Sequence, residues 1–188
     1  MTNTRTPVVF IHGLWLHATS WTPWLELFRE AGYEPVAPGW PGIPDTVEQA
    51  RANPGSIAGH GIEDVTRHYA SFINGLSQRP VLVGHSFGGM IAEKLLGEDY
   101  GAAANFSLHS ADKVQTRNDE RGPLLLVMGG QDHTVPEAIT KSTLKQYRHS
   151  GAVTDLEEFS DRGHSLTIDA GWPVVAGLAL TWLSKQGL

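Results

Sequence analysis

The chain contains no cysteine at all, which removes disulfides, thiolate metal sites and a thiol nucleophile from consideration while leaving either redox compartment open. Charge is also sparse. Only 18 per cent of the residues are charged, the net charge is -6, and the basic residues are scattered rather than gathered into a block. Neither a nucleic acid nor an anionic membrane surface is attracted to such a chain. No apolar run approaches the roughly 20 residues that a membrane span requires. The opening segment, Met1 to Pro7, is polar and contains no apolar signal region, so the expected location is the cytoplasm. Internal repeats and low-complexity tracts are absent too.

What remains is 188 residues with a 40 per cent hydrophobic share, the size and composition of one soluble globular domain that buries about 70 per cent of its unfolded surface without staples. The stretch Pro80-Val81-Leu82-Val83-Gly84-His85-Ser86-Phe87-Gly88-Gly89 organises the rest. An apolar, β-branched run ends in G-x-S-x-G, and a helix-compatible segment, Met90 to Leu96, follows at once. This is the pattern of a nucleophile elbow, a tight strand-to-helix turn that lifts a serine hydroxyl above a sheet edge. Gly84 and Gly88 leave room for that turn. The helix start also supplies free N–H groups, including that of Phe87, where negative charge would develop.

Taken in order, Pro7 to Ile11 reads as a buried first strand running into His12-Gly13. Thr19 or Ser20 is the expected cap of a helix carrying Trp24, Leu27, Phe28 and Ala31 on its apolar side. Glu34 to Pro38 is a second strand, and Pro-Gly-Trp-Pro-Gly at 38–42 opens a long loop. A short helix over Thr46 to Ala52 and a loop over Asn53 to His60 precede a stronger helix striped with Ile62, Val65, Tyr69, Phe72, Ile73 and Leu76. Beyond the elbow helix the signal thins between Gly97 and Gly122, where Ala103 to Leu108 is the candidate for a further strand. Pro123 to Met128 and Ala152 to Phe159 are the last strands, separated by a helix from about Pro136 to Tyr147. Pro173 opens the final helix. Alternating strands and helices predict an α/β three-layer sandwich, with a mostly parallel sheet of about five or six strands and helices on both faces.

Ser86, Asp132 and His164 each fall just past the carboxyl end of a strand, the place where open α/β sheets form their crevice. The chain order Ser, Asp, His is the one associated with a single serine-hydrolase fold. Here the chain resembles the α/β-hydrolase superfamily, in particular its small serine esterases and lipases. The motifs that carry the likeness are His12-Gly13-Leu14-Trp15, Gly84-His85-Ser86-Phe87-Gly88, Gly130-Gln131-Asp132 and Gly163-His164-Ser165.

The resemblance implies that Ser86 attacks an acyl carbonyl, His164 takes and returns the proton, and Asp132 orients the imidazole. It implies an oxyanion hole at the N–H groups of Leu14 and Phe87, with Trp15 as the alternative second donor, and no metal or cofactor. The partner is then a small-molecule ester. Glu137 and Asp161 are rival acids on other loops. His12 is expected to brace its loop by hydrogen bonds and His85 to serve packing, while Trp15, Trp21 and Trp40 supply apolar wall or core, with Trp15 and Trp40 the candidates for substrate contact.

The chain departs from larger relatives in spacing. Only 46 positions separate Ser86 from Asp132, too few for a helical cap plus a strand, so the expectation is one lidless domain over 1–188 with the cap insertion reduced to about 97–122. An exposed rim would then favour self-association. Perhydrolysis or carbon–carbon cleavage on the same three residues, and a non-catalytic or truncated protein of the same fold, are the alternatives.

Overall fold

In a computed structural model, the chain is described over residues 5–105 and 114–188. Strand β1 (Pro7–Ile11) is buried at every position. A 3₁₀ turn (Ala18–Trp21) leads into helix α1 (Thr22–Glu30). The cap differs from expectation: the His17 imidazole caps the 3₁₀ turn by accepting the Thr19 N–H, and α1 itself follows Trp21 with no side-chain cap, so neither Thr19 nor Ser20 supplies one. Strand β2 is shorter than expected, Glu34–Val36, and the loop at 53–60 includes a 3₁₀ turn, Pro54–Ile57. Thr46 caps helix α2 (Val47–Ala52) through the Gln49 N–H. Helix α3 (Ile62–Asn74), strand β3 (Val81–Gly84) and helix α4 (Phe87–Gly97) follow the sequence reading.

The candidate strand after the elbow helix is present as β4 (Ala103–Asn105), and its expected continuation, 106–108, lies outside the described residues. Strand β5 (Leu124–Gly129), helix α5 (Glu137–Gln146), strand β6 (Thr154–Phe159) and helix α6 (Trp172–Lys185) complete the chain. Pro173 is the second residue of α6 rather than its first.

The six strands form one open sheet in the order β2-β1-β3-β4-β5-β6, and every neighbouring pair is parallel. A strand buried on both faces cannot alternate polar with apolar, which is why β1, β3 and β5 read as continuous hydrophobic runs. Val8 and Phe10 point into a core with Trp21, Trp24 and Phe28 beneath α1 and Val175, Ala179 and Leu183 beneath α6. Val9 and Ile11 point the other way, against Val65, Tyr69 and Ile73 of α3 and Ile91 and Leu95 of α4. The three-layer expectation therefore holds. Among the described residues, no helix lies between the end of α4 and the start of α5, so no cap stands over the sheet there, and no helix is long and apolar enough to cross a membrane.

Registry sets where the site forms. Ile11 is paired with Gly84 and Gly129 with Phe159, so the residues following each of these four leave the sheet at the same edge.

Candidate active site

Ser86 sits between β3 and α4 with φ 58° and ψ -128°, a conformation that costs a non-glycine residue energy and persists only where the surroundings enforce it. The enforcement is visible. The His85 N–H bonds the Ile11 carbonyl at 3.1 Å, the Gly88 N–H bonds the His85 carbonyl at 2.9 Å, and the Gly89 N–H bonds the Ser86 carbonyl at 2.8 Å. A side chain at position 84 would begin 2.2 Å from the Gly88 carbonyl oxygen, so the turn closes only with glycine there. Phe87 begins α4, and its N–H is among those that no carbonyl of the helix can satisfy.

The loop after β1 closes over the same spot. Gly13 is so near Ser86 that a Cβ built on it would lie 2.7 Å from the Ser86 Cβ and 3.4 Å from its Oγ. That contact brings the beginning of the loop bearing Leu14 against the serine. His12 is buried, its Nδ1 donating to the Gly13 carbonyl at 2.9 Å, so it braces the loop as expected. Trp40 stacks on the His12 ring, 5.4 Å between centroids, and donates its indole N–H to the His12 carbonyl at 3.1 Å. Trp21 is core. Trp15 is 95 per cent exposed on a backbone with φ 65°, with Leu14 and Phe87 partly exposed.

On the other side, Asp132 and His164 meet. The His164 Nδ1 lies 2.8 Å from the Asp132 Oδ2, and the carboxylate's Oδ1 accepts the N–H groups of Thr134 and Val135 at 2.8 Å each. With its other oxygen held by two backbone donors, the carboxylate presents Oδ2 to the imidazole in one orientation, and an Nδ1–H leaves Nε2 as the free acceptor. Neither rival acid has this place: Glu137 pairs with Lys141, and Asp161 is exposed.

His85 does more than the packing expected of it. Its Nε2 donates to the His164 carbonyl at 2.8 Å, and the two rings lie 4.9 Å apart. Because His85 precedes Ser86, this bond ties the loop carrying His164 to the turn carrying Ser86. Burial lowers the pKa of both His12 and His85 to about 4, so the two imidazoles next to the serine are neutral at ordinary pH. No local spacing in the sequence announces the His85 bond, since it joins residues 79 positions apart.

A cavity of about 290 Å³ opens between His17, Thr19, Leu25, Ala37, Ile43 and Asp45, and Ser86, Asp132 and His164 do not line it. Among the described residues, no cluster of histidine and carboxylate side chains could hold a metal ion.

The sequence profile described as the alpha/beta hydrolase family matches residues 8–114, more than half of the chain. The chain belongs to that family. Curated protein sequences contain no significant match to it. Among solved structures, this alpha/beta hydrolase is similar to esterase 2 of Thermogutta terrifontis, with a TM-score of 0.78 and 17% identity over 98% of this chain and 84% of the other. It is also similar to a monoacylglycerol lipase of Paleococcus ferrophilus, with a TM-score of 0.78 and 18% identity over 97% of each chain. At such identities the likeness speaks for the shared fold.

Proposed function

We propose that the protein is a serine hydrolase of carboxylic esters, acting through an acyl-enzyme on Ser86, His164 and Asp132. The observation that carries this reading is the 2.8 Å contact between His164 Nδ1 and Asp132 Oδ2 at the sheet edge where the strained Ser86 turn also emerges. His164 Nε2 withdraws the proton as Ser86 Oγ bonds the acyl carbon, then returns it to the leaving alcohol. A water repeats the sequence in the second half. Asp132 holds the imidazole in the Nδ1–H tautomer and stabilises the imidazolium. The N–H groups of Leu14 and Phe87 receive the oxyanion, a donor of this kind being worth roughly 3 to 4 kcal/mol.

The substrate we favour is a short, soluble ester. The 97–122 interval is too short to carry a cap that would enclose a long chain, and residues 1–188 act as one domain without a lid. The similar Thermogutta esterase has been solved with butyrate and with propionate bound, and phosphorylated by paraoxon. Trp40, held against His12, and the exposed Trp15 are the side chains we favour for substrate contact.

The test pairs p-nitrophenyl acetate and butyrate hydrolysis with fluorophosphonate labelling, which requires an activated serine. Wild type should turn over and label, and Ser86→Ala should lower kcat by about 10⁴ and abolish labelling. More than a tenth of the activity surviving in Ser86→Ala would remove the assignment. Turnover of peroxide with a carboxylic acid in preference to esters would move the reading to the perhydrolase alternative.

A further inference from the structure

Residues 160–171, the segment between β6 and α6 that carries His164, contain no regular helix or strand. Its shape therefore comes from bonds made by individual groups. Backbone contacts account for part of it: the Gln131 N–H bonds the Arg162 carbonyl at 2.8 Å, the Trp24 indole N–H bonds the Thr167 carbonyl at 2.8 Å, and the Ile168 and Asp169 N–H groups bond the Ser165 carbonyl at 2.9 Å. His85 adds its bond to the His164 carbonyl at 2.8 Å, and a further constraint is ionic. The Arg162 guanidinium reaches across the segment to Asp169, Nε lying 3.3 Å from Oδ2 and Nη2 pairing with Oδ1, while the same Oδ1 accepts the Gly171 N–H at 3.0 Å.

We propose that Arg162 is a positioning residue for His164, acting through its two-point pair with Asp169 and its own carbonyl. This rests on the reading of His164 as the catalytic base. Arg162 is engaged at both ends. Its carbonyl bonds the residue preceding Asp132, and its side chain closes the segment on the far side of His164, so one residue links the acid's loop to both sides of the base's loop. Surface ion pairs ordinarily contribute little. This one is different in kind: the side chains of Arg162 and Asp169 are only 16% and 33% exposed, and the planar guanidinium offers two parallel donors that a lysine ammonium cannot reproduce. The pair between Arg79 and Asp99 is far more exposed and touches no loop of the site, which makes it the internal control.

Releasing the clamp leaves Ser86, Leu14 and Phe87 where they are and lets His164 drift. A displacement of about 1 Å in a reacting group costs on the order of 10²-fold in rate. Arg162→Met and Asp169→Asn should each lower kcat by about 10- to 100-fold with KM changed by less than about twofold. Arg162→Lys should recover only part of the loss, and the double variant should be no worse than the worse single. Arg79→Met should behave as wild type.

A second measurement is independent of turnover. The proton shared by His164 Nδ1 and Asp132 gives a downfield resonance in the proton spectrum of the full chain, absent in His164→Ala. It should broaden or vanish in Arg162→Met and Asp169→Asn while circular dichroism and the melting profile stay cooperative. If wild type hydrolyses no ester, the functional reading fails but this resonance still decides whether Arg162 holds His164. Retention of the resonance with unchanged kcat in both variants overturns the proposal. So does a fall in melting temperature with the resonance and the kcat of the folded fraction intact, because the pair would then be structural alone. Asp169→Asn, which keeps an oxygen for the Gly171 N–H, guards against a variant that does not fold.

Discussion

Glu93, on the buried side of α4, accepts a hydrogen bond from the Tyr147 hydroxyl at 2.6 Å, and burial raises its pKa from 4.5 to about 8. Between those two values the folded protein binds a proton that the unfolded chain has lost. Stability contributed by Glu93 is therefore fully present below pH 4.5 and falls as pH rises toward 8, at about 1.4 kcal/mol per pH unit and on the order of 5 kcal/mol in all. His12 and His85 act with the opposite sign. Their folded values of about 4 lie below the ordinary 6.5, so the unfolded chain takes up protons that the folded one refuses. Their stability is present above 6.5 and drains as pH falls toward 4, about 3 kcal/mol for each. From these three groups alone, stability should peak near pH 6.5. Replacing Glu93 by Gln removes one slope and leaves the others, so the difference in unfolding free energy between wild type and Glu93→Gln isolates this carboxyl. Urea titrations from pH 4.5 to 8.5 should show wild type losing on the order of 5 kcal/mol relative to the variant across that range. A difference that stays constant with pH would refute the reasoning, and one that changes in the opposite direction would mean that Glu93 is ionised when folded.

Asp132→Asn should lower kcat/KM by about 10⁴ through loss of the correct imidazole tautomer, whereas Asp161→Asn and Glu137→Gln should match wild type; the reverse pattern in the ester assay would relocate the acid. Gly13→Ala places a methyl 2.7 Å from the Ser86 Cβ, so fluorophosphonate labelling should slow by at least about 10-fold in a protein that still folds by circular dichroism. Trp15, Leu14 and Phe87 are 95%, 40% and 37% exposed, so sedimentation should reveal concentration-dependent self-association that Trp15→Ser reduces. On the lidless reading, the rate on a triglyceride should cross its solubility limit smoothly, and a sharp jump there would identify a covering segment.

The parts of this fold that are legible in the sequence are those whose signal is local. Pro7 to Ile11 and Leu124 to Met128 announce themselves because both faces of each strand are buried and every residue is apolar. β4 is faint for a physical reason. Ala103 and Ala104 are fully buried yet small, poor in strand propensity, and the strand is held by neighbours, the Ala102 N–H on the Pro80 carbonyl at 2.8 Å and the Ala104 N–H on the Pro123 carbonyl at 3.0 Å. Thr19 and Ser20 attract a capping assignment because hydroxyls are the usual caps. His17 instead caps the 3₁₀ turn that precedes α1, its ring fixed by the Pro44 carbonyl, 3.0 Å from Nε2, a contact from 27 residues away. Glu93 with Tyr147, His85 with His164 and Arg162 with Asp169 are unreadable in the same sense, since only the folded chain brings each pair together.

The candidate site divides along the same line. G-x-S-x-G and the order of Ser86, Asp132 and His164 are local or ordinal facts, and they suffice to locate the three loops. The distance between the loops is not ordinal, and it depends on Gly129 and Gly130, whose part in it no local pattern announces. A side chain at position 129 would begin 2.4 Å from the Arg162 carbonyl oxygen, and one at 130 would begin 2.7 Å from that of Ser160. Gly129 and Gly130 thus let the loop after β6 lie directly on the loop after β5. With any larger residue there, the Gln131 N–H could not reach Arg162, and Asp132 would be pushed away from His164. The close approach that brings carboxylate and imidazole to 2.8 Å is therefore made by the absence of two side chains, one turn before the acid that benefits from it.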